Sequence, residues 1–374
     1  MRKLAATAVL IATLLPAALR AAESPKEENA ATLYLRAAQI RKPVSPAETN
    51  MEYRDYPPFP QEWTAASEDA WNANGQVRAL ARQARTMTSA TWPDSKDATY
   101  LNFLRGFTND IDDAALHEAV HGHAAAAVEL TRDVRHLADL LEEKPSKDVL
   151  RVLVASGINA CACNRLLVIV AADAKFTADP KNTVDLNVAT ARQVIKELLD
   201  QRDPKQQLTE ILGPAGTPAW HDPKLDTDRL IETMNRVNAE RTFAAMSLAA
   251  HLYRFEKHTW PGTLDQLFPD YLPRVPIDPW GDGKQTFGYA LIEAGRPDGA
   301  DRPLVYDRCR ATDGLQYRTD EPQFSFYQQD GSNRPPKQRI QAGQFSDPAP
   351  TQAPPQRTMF PKSGWRPRYS KVGA

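Results

Sequence analysis

Of the thirty prolines in 374 residues, 22 concentrate at 43–60, 204–223, 261–279 and 335–367, and these clusters confine what the chain can fold into. Proline removes a backbone donor and clashes inside a helix, so the clusters are expected to mark loops and linkers between elements. The intervening stretches show helical periodicity at about 30–41, 67–88, 97–107, 111–143, 147–175, 183–202 and 226–258. The spacing predicts a mostly helical protein divided by proline-rich turns.

In 111–143, Leu116, Val120, His123, Ala127, Leu130, Val134, Leu137 and Leu141 recur at alternating steps of four and three, which predicts one continuous apolar stripe. Asp110, Asp112 and Asp113 stand at its expected start, where carboxylates favour the positive end of the helix dipole. The stretch 149–172 is strongly apolar but interrupted by Arg151, Asn159, Asn164 and Arg165, which predicts the buried central helix of a soluble bundle.

At the N-terminus, Arg2 and Lys3 precede an apolar run from Leu4 to Leu19 that ends at Ala21 and Ala22, the pattern of a secretory signal peptide. The run falls short of the roughly 20 residues of a spanning helix, so cleavage is expected and a retained N-terminal anchor is the alternative. A periplasmic or secreted location follows, without a stable transmembrane segment after cleavage. Formal net charge is −1, which shows no nucleic-acid footprint. Three cysteines are an odd number for an exported chain; Cys161 and Cys163 fall on nearly opposite sides of a helix and read as buried thiols, with Cys309 near the expected sheet.

His117-Glu118-Ala-Val-His121 matches H-E-x-x-H, in which two histidines one turn apart bind zinc and the glutamate acts as base on the bound water. Gly122 and His123 follow at once instead of the longer metal-ligand form, and Tyr100 to Phe107 reads as helix where a substrate-binding strand belongs. Glu142 and Glu143 lie roughly 36 Å along the same expected helix, at about 1.5 Å per residue, too far to share an ion. Asp148 and Asp173 depend on helix packing. His117 and His121 are therefore metal-ligand candidates without an assigned third ligand, and no catalytic or cofactor-binding residue is assigned.

Thr227-Asp228 opens a long helix whose buried face is Leu230, Met234, Val237, Ala244, Leu248, Leu252 and Phe255 and which must end before Pro261. His251-Leu-Tyr-Arg-Phe255, Trp260-Pro261, Leu264 to Phe268 and the phrase from Tyr271 through Asp278-Pro-Trp-Gly281 follow in order. Phe287, Tyr289 and Leu291 then alternate as in a strand with one buried face. This order resembles the soluble domain of type II secretion major pseudopilins. The resemblance implies a long helix on a small antiparallel sheet built from Thr286 to Ile292, Leu304 to Asp307 and Gln323 to Tyr327. Trp260 and Trp280 read as anchors of the loop on the helix. The helix continues upstream into Glu232, Asn235, Arg236 and Asn238, so it lacks the apolar polymerising stem of a fibre-forming pilin.

Such pseudopilins tend to bind calcium in a sheet loop. Asp298, Asp301, Asp307, Asp313 and Asp320 occupy the corresponding region, but Arg296, Arg302, Arg308 and Arg310 interleave with them, and no calcium ligand is carried over. Proline, glutamine and serine then dominate a stretch expected to be a disordered tail.

The expected organisation is a signal peptide over 1–22, a proline-rich segment with a short helix over 23–66, a helical bundle over 67–212, a pseudopilin-like module over 226–330 and a tail over 331–374. The fold class is α+β, with a mostly helical N-terminal domain. The expected function is a non-catalytic envelope protein whose module serves assembly or interaction with envelope partners. No cofactor is required by that reading, zinc and calcium being the ions to consider, and it sets no oligomeric state. The alternative is a zinc-dependent hydrolase or peptidase using His117, Glu118 and His121.

Overall fold

The computed structural model describes residues 29–42, 61–93, 99–142, 149–171, 174–214, 226–279, 284–292, 302–306, 315–317, 325–326 and 338–340. The expected signal peptide, Trp280, Cys309 and the five carboxylates of the calcium region lie outside them. The fold is mostly helical with a small sheet. Its helices are α1 (Ala30–Ile40), α2 (Gln61–Ala73), α3 (Gly75–Arg85), α4 (Thr99–Val120), α5 (Ala124–Glu142), α6 (Val149–Ala171), α7 (Val188–Leu199), α8 (Pro204–Leu212) and α9 (Thr227–Lys257).

Local signals set the ends of several of these helices. Asn29 caps α1 by accepting from the backbone of Ala31 at 3.0 Å, Asn187 and Asp203 cap α7 and α8, and Pro204 occupies the first turn of α8. Asp226 caps α9, and His258 ends it in the left-handed region at φ 59°. The expected helix 67–88 breaks at Asn74, whose side chain accepts from the Lys42 amide and donates to its carbonyl.

The stripe over 111–143 is not one helix. Gly122, at φ 82°, turns the chain so that α4 and α5 pack side by side. The Gly122 amide donates to the Ala119 carbonyl and the His123 amide to that of Glu118, the paired bonds of a Schellman ending. Val120 is consequently 42% exposed instead of lying in the stripe. Asp110, Asp112 and Asp113 fall in the middle of α4 and cap nothing; Asp110 pairs with Arg41 at 3.0 Å and Asp113 lies 3.6 Å from Arg165. A Cβ built on Gly122 meets nothing within 4 Å, so Gly122→Ala tests backbone strain alone. The variant should lose about 1–2 kcal/mol in urea unfolding, and Gly122→Asn should recover part of it because asparagine tolerates this conformation.

One hydrophobic core runs through α1, α3, α4, α5, α6, α7, α9 and the start of the sheet. α6 packs on α4, α5 and α9; it is the one described helix long and apolar enough to cross a membrane, and most of it is buried within this core. α9 is the other axis. Twelve consecutive residues, Ala239 to Ala250, are buried, so for more than three turns the helix is covered on every side. α6, α7, α8, strand β4 (Arg302–Tyr306) and the short 3₁₀ helix Leu264–Leu267 supply the cover. Arg241, inside that stretch, donates to the carbonyls of Glu197, Leu198 and Asp200, and so caps the end of α7 with a cation.

Two short strands, β1 (Phe176–Thr177) and β2 (Leu186–Asn187), pair in parallel ahead of α7. Beyond α9 the chain returns over it. Trp260 stands edge-on to His251 at 4.9 Å, Tyr289 donates to the Pro261 carbonyl at 2.5 Å, and Phe287 packs on Phe243 at 5.0 Å. The sheet order is β3 (Gly288–Ile292), β4, β6 (Ser325–Phe326). The expectation of an antiparallel sheet holds for β3 with β4, but β6 lies parallel to β4. The excursion through β5 (Leu315–Tyr317) is the long crossover that parallel pairing needs. Within the expected tail, only β7 (Gln338–Ile340) is among the described residues, where it pairs with β5.

Candidate functional site

The turn that ends α4 also gathers its histidines. His117 lies one turn before the end and is buried, while His121 sits at the end itself and is 42% exposed on its side chain. The His121 Nδ1 lies 2.8 Å from the His117 carbonyl oxygen. A carbonyl only accepts, so Nδ1 carries a proton, and in the neutral ring Nε2 presents its lone pair outward.

The third member comes from α2, which packs on α4. Glu68 Oε2 lies 2.8 Å from Nε2 of His117 and 4.0 Å from Nε2 of His121. One ligand atom from each of the three residues falls within 4.8 Å of the other two. The hydrogen bond from His117 holds the Glu68 carboxyl below its usual range. Trp71, one turn beyond Glu68, stacks on the His117 ring at 4.8 Å and 12°, and the Arg78 guanidinium lies 3.4 Å over the Trp71 ring. Stacking from one face fixes the plane of the His117 imidazole and aims its Nε2 edge at Glu68.

Glu118 takes a different place from the one the motif predicts. Its Oε1 lies 3.7 Å from Nδ1 of His117 and its Oε2 accepts from Nδ1 of His123 at 3.1 Å. It therefore stands at the Nδ1 edge of His117, opposite the Nε2 edge where Glu68 and His121 converge. No match to this chain is found among protein-family models, curated proteins or solved structures.

The arrangement can hold a cation between two imidazole nitrogens and one carboxylate oxygen, the donor set that zinc and its neighbours accept. The expected pair His117 and His121 is brought together. Glu142 ends α5, away from the α4–α5 turn, and lines a small polar cleft with Arg202, Gln207 and Arg241. Glu143, Asp148 and Asp173 lie outside the described residues. Glu68 has no mark in the sequence, because it stands 49 residues before His117 and only the packing of α2 on α4 delivers it. Cys161 and Cys163 are free thiols pushed up to about 12 by burial, and they stay protonated away from this group.

Proposed function

We propose that this chain is an extracytoplasmic, non-catalytic scaffold in which a pseudopilin-like helix-and-sheet unit is carried by a helical bundle and engages a partner in the cell envelope. The observation behind this reading is the covering of α9 from Ala239 to Ala250. A helix standing on a membrane stem would leave its lower part to lipid or to other copies. Here α6, α7 and α8 take that role, so the unit is held by its own chain. Phe255 and Ile277, at the end of α9 and in the loop before the sheet, are exposed apolar side chains on this unit.

For the zinc-hydrolase alternative, the described residues offer a candidate third ligand in Glu68, but the base that the motif names is turned away from it. A base must reach a metal-bound water, and Glu118 is occupied by His123 on the other edge of the His117 ring.

The test is a photo-crosslinking amino acid placed at Phe255 or Ile277 of the full chain in its own cells, with Phe103, exposed on α4, as the comparison site. The expected result is recovery from the envelope fraction with the same single adduct from both module positions and none from Phe103. Recovery in the cytosol, or adducts that are indistinguishable among the three positions, would overturn the reading.

A further inference from the structure

We infer that Glu68, His117 and His121 form a site for one divalent first-row transition ion, zinc being the natural occupant, that clasps α2 to the end of α4. This is a structural site, and it stands independently of the assembly reading.

The argument starts from which atoms can share hydrogens. In the neutral ring, Nε2 of His121 is a lone pair, because its Nδ1 proton is committed to the His117 carbonyl. Its neighbour at 4.0 Å is a carboxylate oxygen, also an acceptor. Two acceptors facing one another need a proton, a water hydrogen or a metal cation between them, and a cation is the one that also serves His117. His117 presents a second difficulty. If its single proton sits on Nε2 to reach Glu68, then Nδ1 is a bare acceptor 3.7 Å from the Glu118 carboxylate. That Nδ1 is buried and has no hydrogen-bond partner. An unpartnered buried acceptor beside a carboxylate is costly.

A divalent cation on the Nε2 edge removes both conflicts. It takes the two Nε2 lone pairs and a Glu68 oxygen, and the His117 proton moves to Nδ1, where it faces Glu118. Glu118, fixed in turn by His123, then orients a ligand histidine through its far nitrogen. Two neutral imidazoles and one carboxylate suit a borderline ion such as zinc; calcium and magnesium prefer all-oxygen sets. The exposed side of His121 and Glu68 leaves the remaining coordination to water. The Trp71 stack on His117 and the Glu68 ligand belong to the same helix, so an ion here adds a second attachment of α2 one turn from that stack.

The experiment titrates the metal-stripped full chain with cobalt(II) chloride, reads the visible absorption of the bound ion, and then competes it with zinc chloride. Wild type should bind one cobalt per chain, released stoichiometrically by zinc, and zinc should raise the melting temperature. Glu68→Gln and His121→Ala should each weaken binding by more than about 10-fold, the least that even an outer-shell partner costs, and should lose the melting shift. His258→Asn, which changes a histidine on another helix, should bind like wild type. Circular dichroism of each variant confirms that the bundle is intact. No cobalt bands in wild type would overturn the site, leaving a hydrogen-bonded pair of His117 and Glu68. Equal affinity in Glu68→Gln, or loss of binding in His258→Asn, would equally overturn it by showing adventitious histidine binding.

Discussion

Phe287→Ala should destabilise the protein by about 3–5 kcal/mol, the usual loss when a buried phenylalanine ring is removed from a packed core. Phe287 is fully buried where the chain enters β3, directly after the bridge between Ile277 and Thr286. Its ring meets Phe243 of α9 at 5.0 Å and 60°, a geometry worth about 0.5–1.5 kcal/mol beyond the buried area. Phe243 lies within the stretch of α9 covered on every side, so the surroundings have little freedom to collapse into the space left behind. The loss should appear as a lower urea midpoint with the slope unchanged. Phe243→Ala should cost a similar amount, and the double variant should cost less than the sum, because both remove the same contact. Amide exchange should show β3 and β4 opening ahead of α5 and α6, since the sheet joins the core chiefly through this pair, Tyr271 and Val305. A change below about 1 kcal/mol, or additive single variants, would mean that the sheet is not anchored on α9 by these rings.

The same contact shows what sequence reading can reach. Phe287 and Tyr289 alternate on a strand and are recognisable as a face that needs a partner, while α9 is marked by Thr227-Asp228 and Pro261, although Asp226 is the residue that caps it and Phe255, expected on its buried face, is exposed. Both elements form where the local signals place them. The break between α4 and α5 was also written locally, in Gly122, but a three-residue turn happened to preserve the four-and-three spacing, so periodicity outvoted the glycine. Exposed Val120 shows that the two halves of the stripe belong to different helices.

The misplacement of the aspartates has the same origin. Asp110, Asp112 and Asp113 resemble a helix start only if the helix begins there, and α4 begins eleven residues before Asp110, at Thr99. At the candidate site, the histidine pair was visible because one turn of helix fixes its geometry. Glu68 was not, since its contribution depends on how α2 docks. The role of Glu118 could not be read from the motif either, because the spacing is the same whichever edge of His117 the carboxylate meets.

Asp112 supplies the second large effect, in pH dependence. It is 4% exposed within α4, its Oδ1 has no hydrogen-bond partner, and burial raises it from 3.8 to about 7. Arg165 of α6 opposes that rise and Asp113 adds to it, while the Cys161 thiol on α6, itself pushed up to about 12, stays neutral beside it. The sign follows from proton counting. Between the unfolded value near 4 and the folded value near 7 the native state holds more protons than the unfolded chain, so this group's contribution to stability falls as pH rises. Asp112→Asn keeps the shape and removes the titration. Near pH 4 the variant and wild type should unfold at similar urea concentrations; by pH 8 the variant should be the more stable, by up to about 4 kcal/mol at about 1.4 kcal/mol per unit. Urea midpoints of both proteins at intervals from pH 4 to 8 give the difference directly, with contributions from His251 and Glu142 cancelling between them. Parallel curves would show that Asp112 does not change protonation across this range, and that Arg165 holds it ionised inside the bundle throughout.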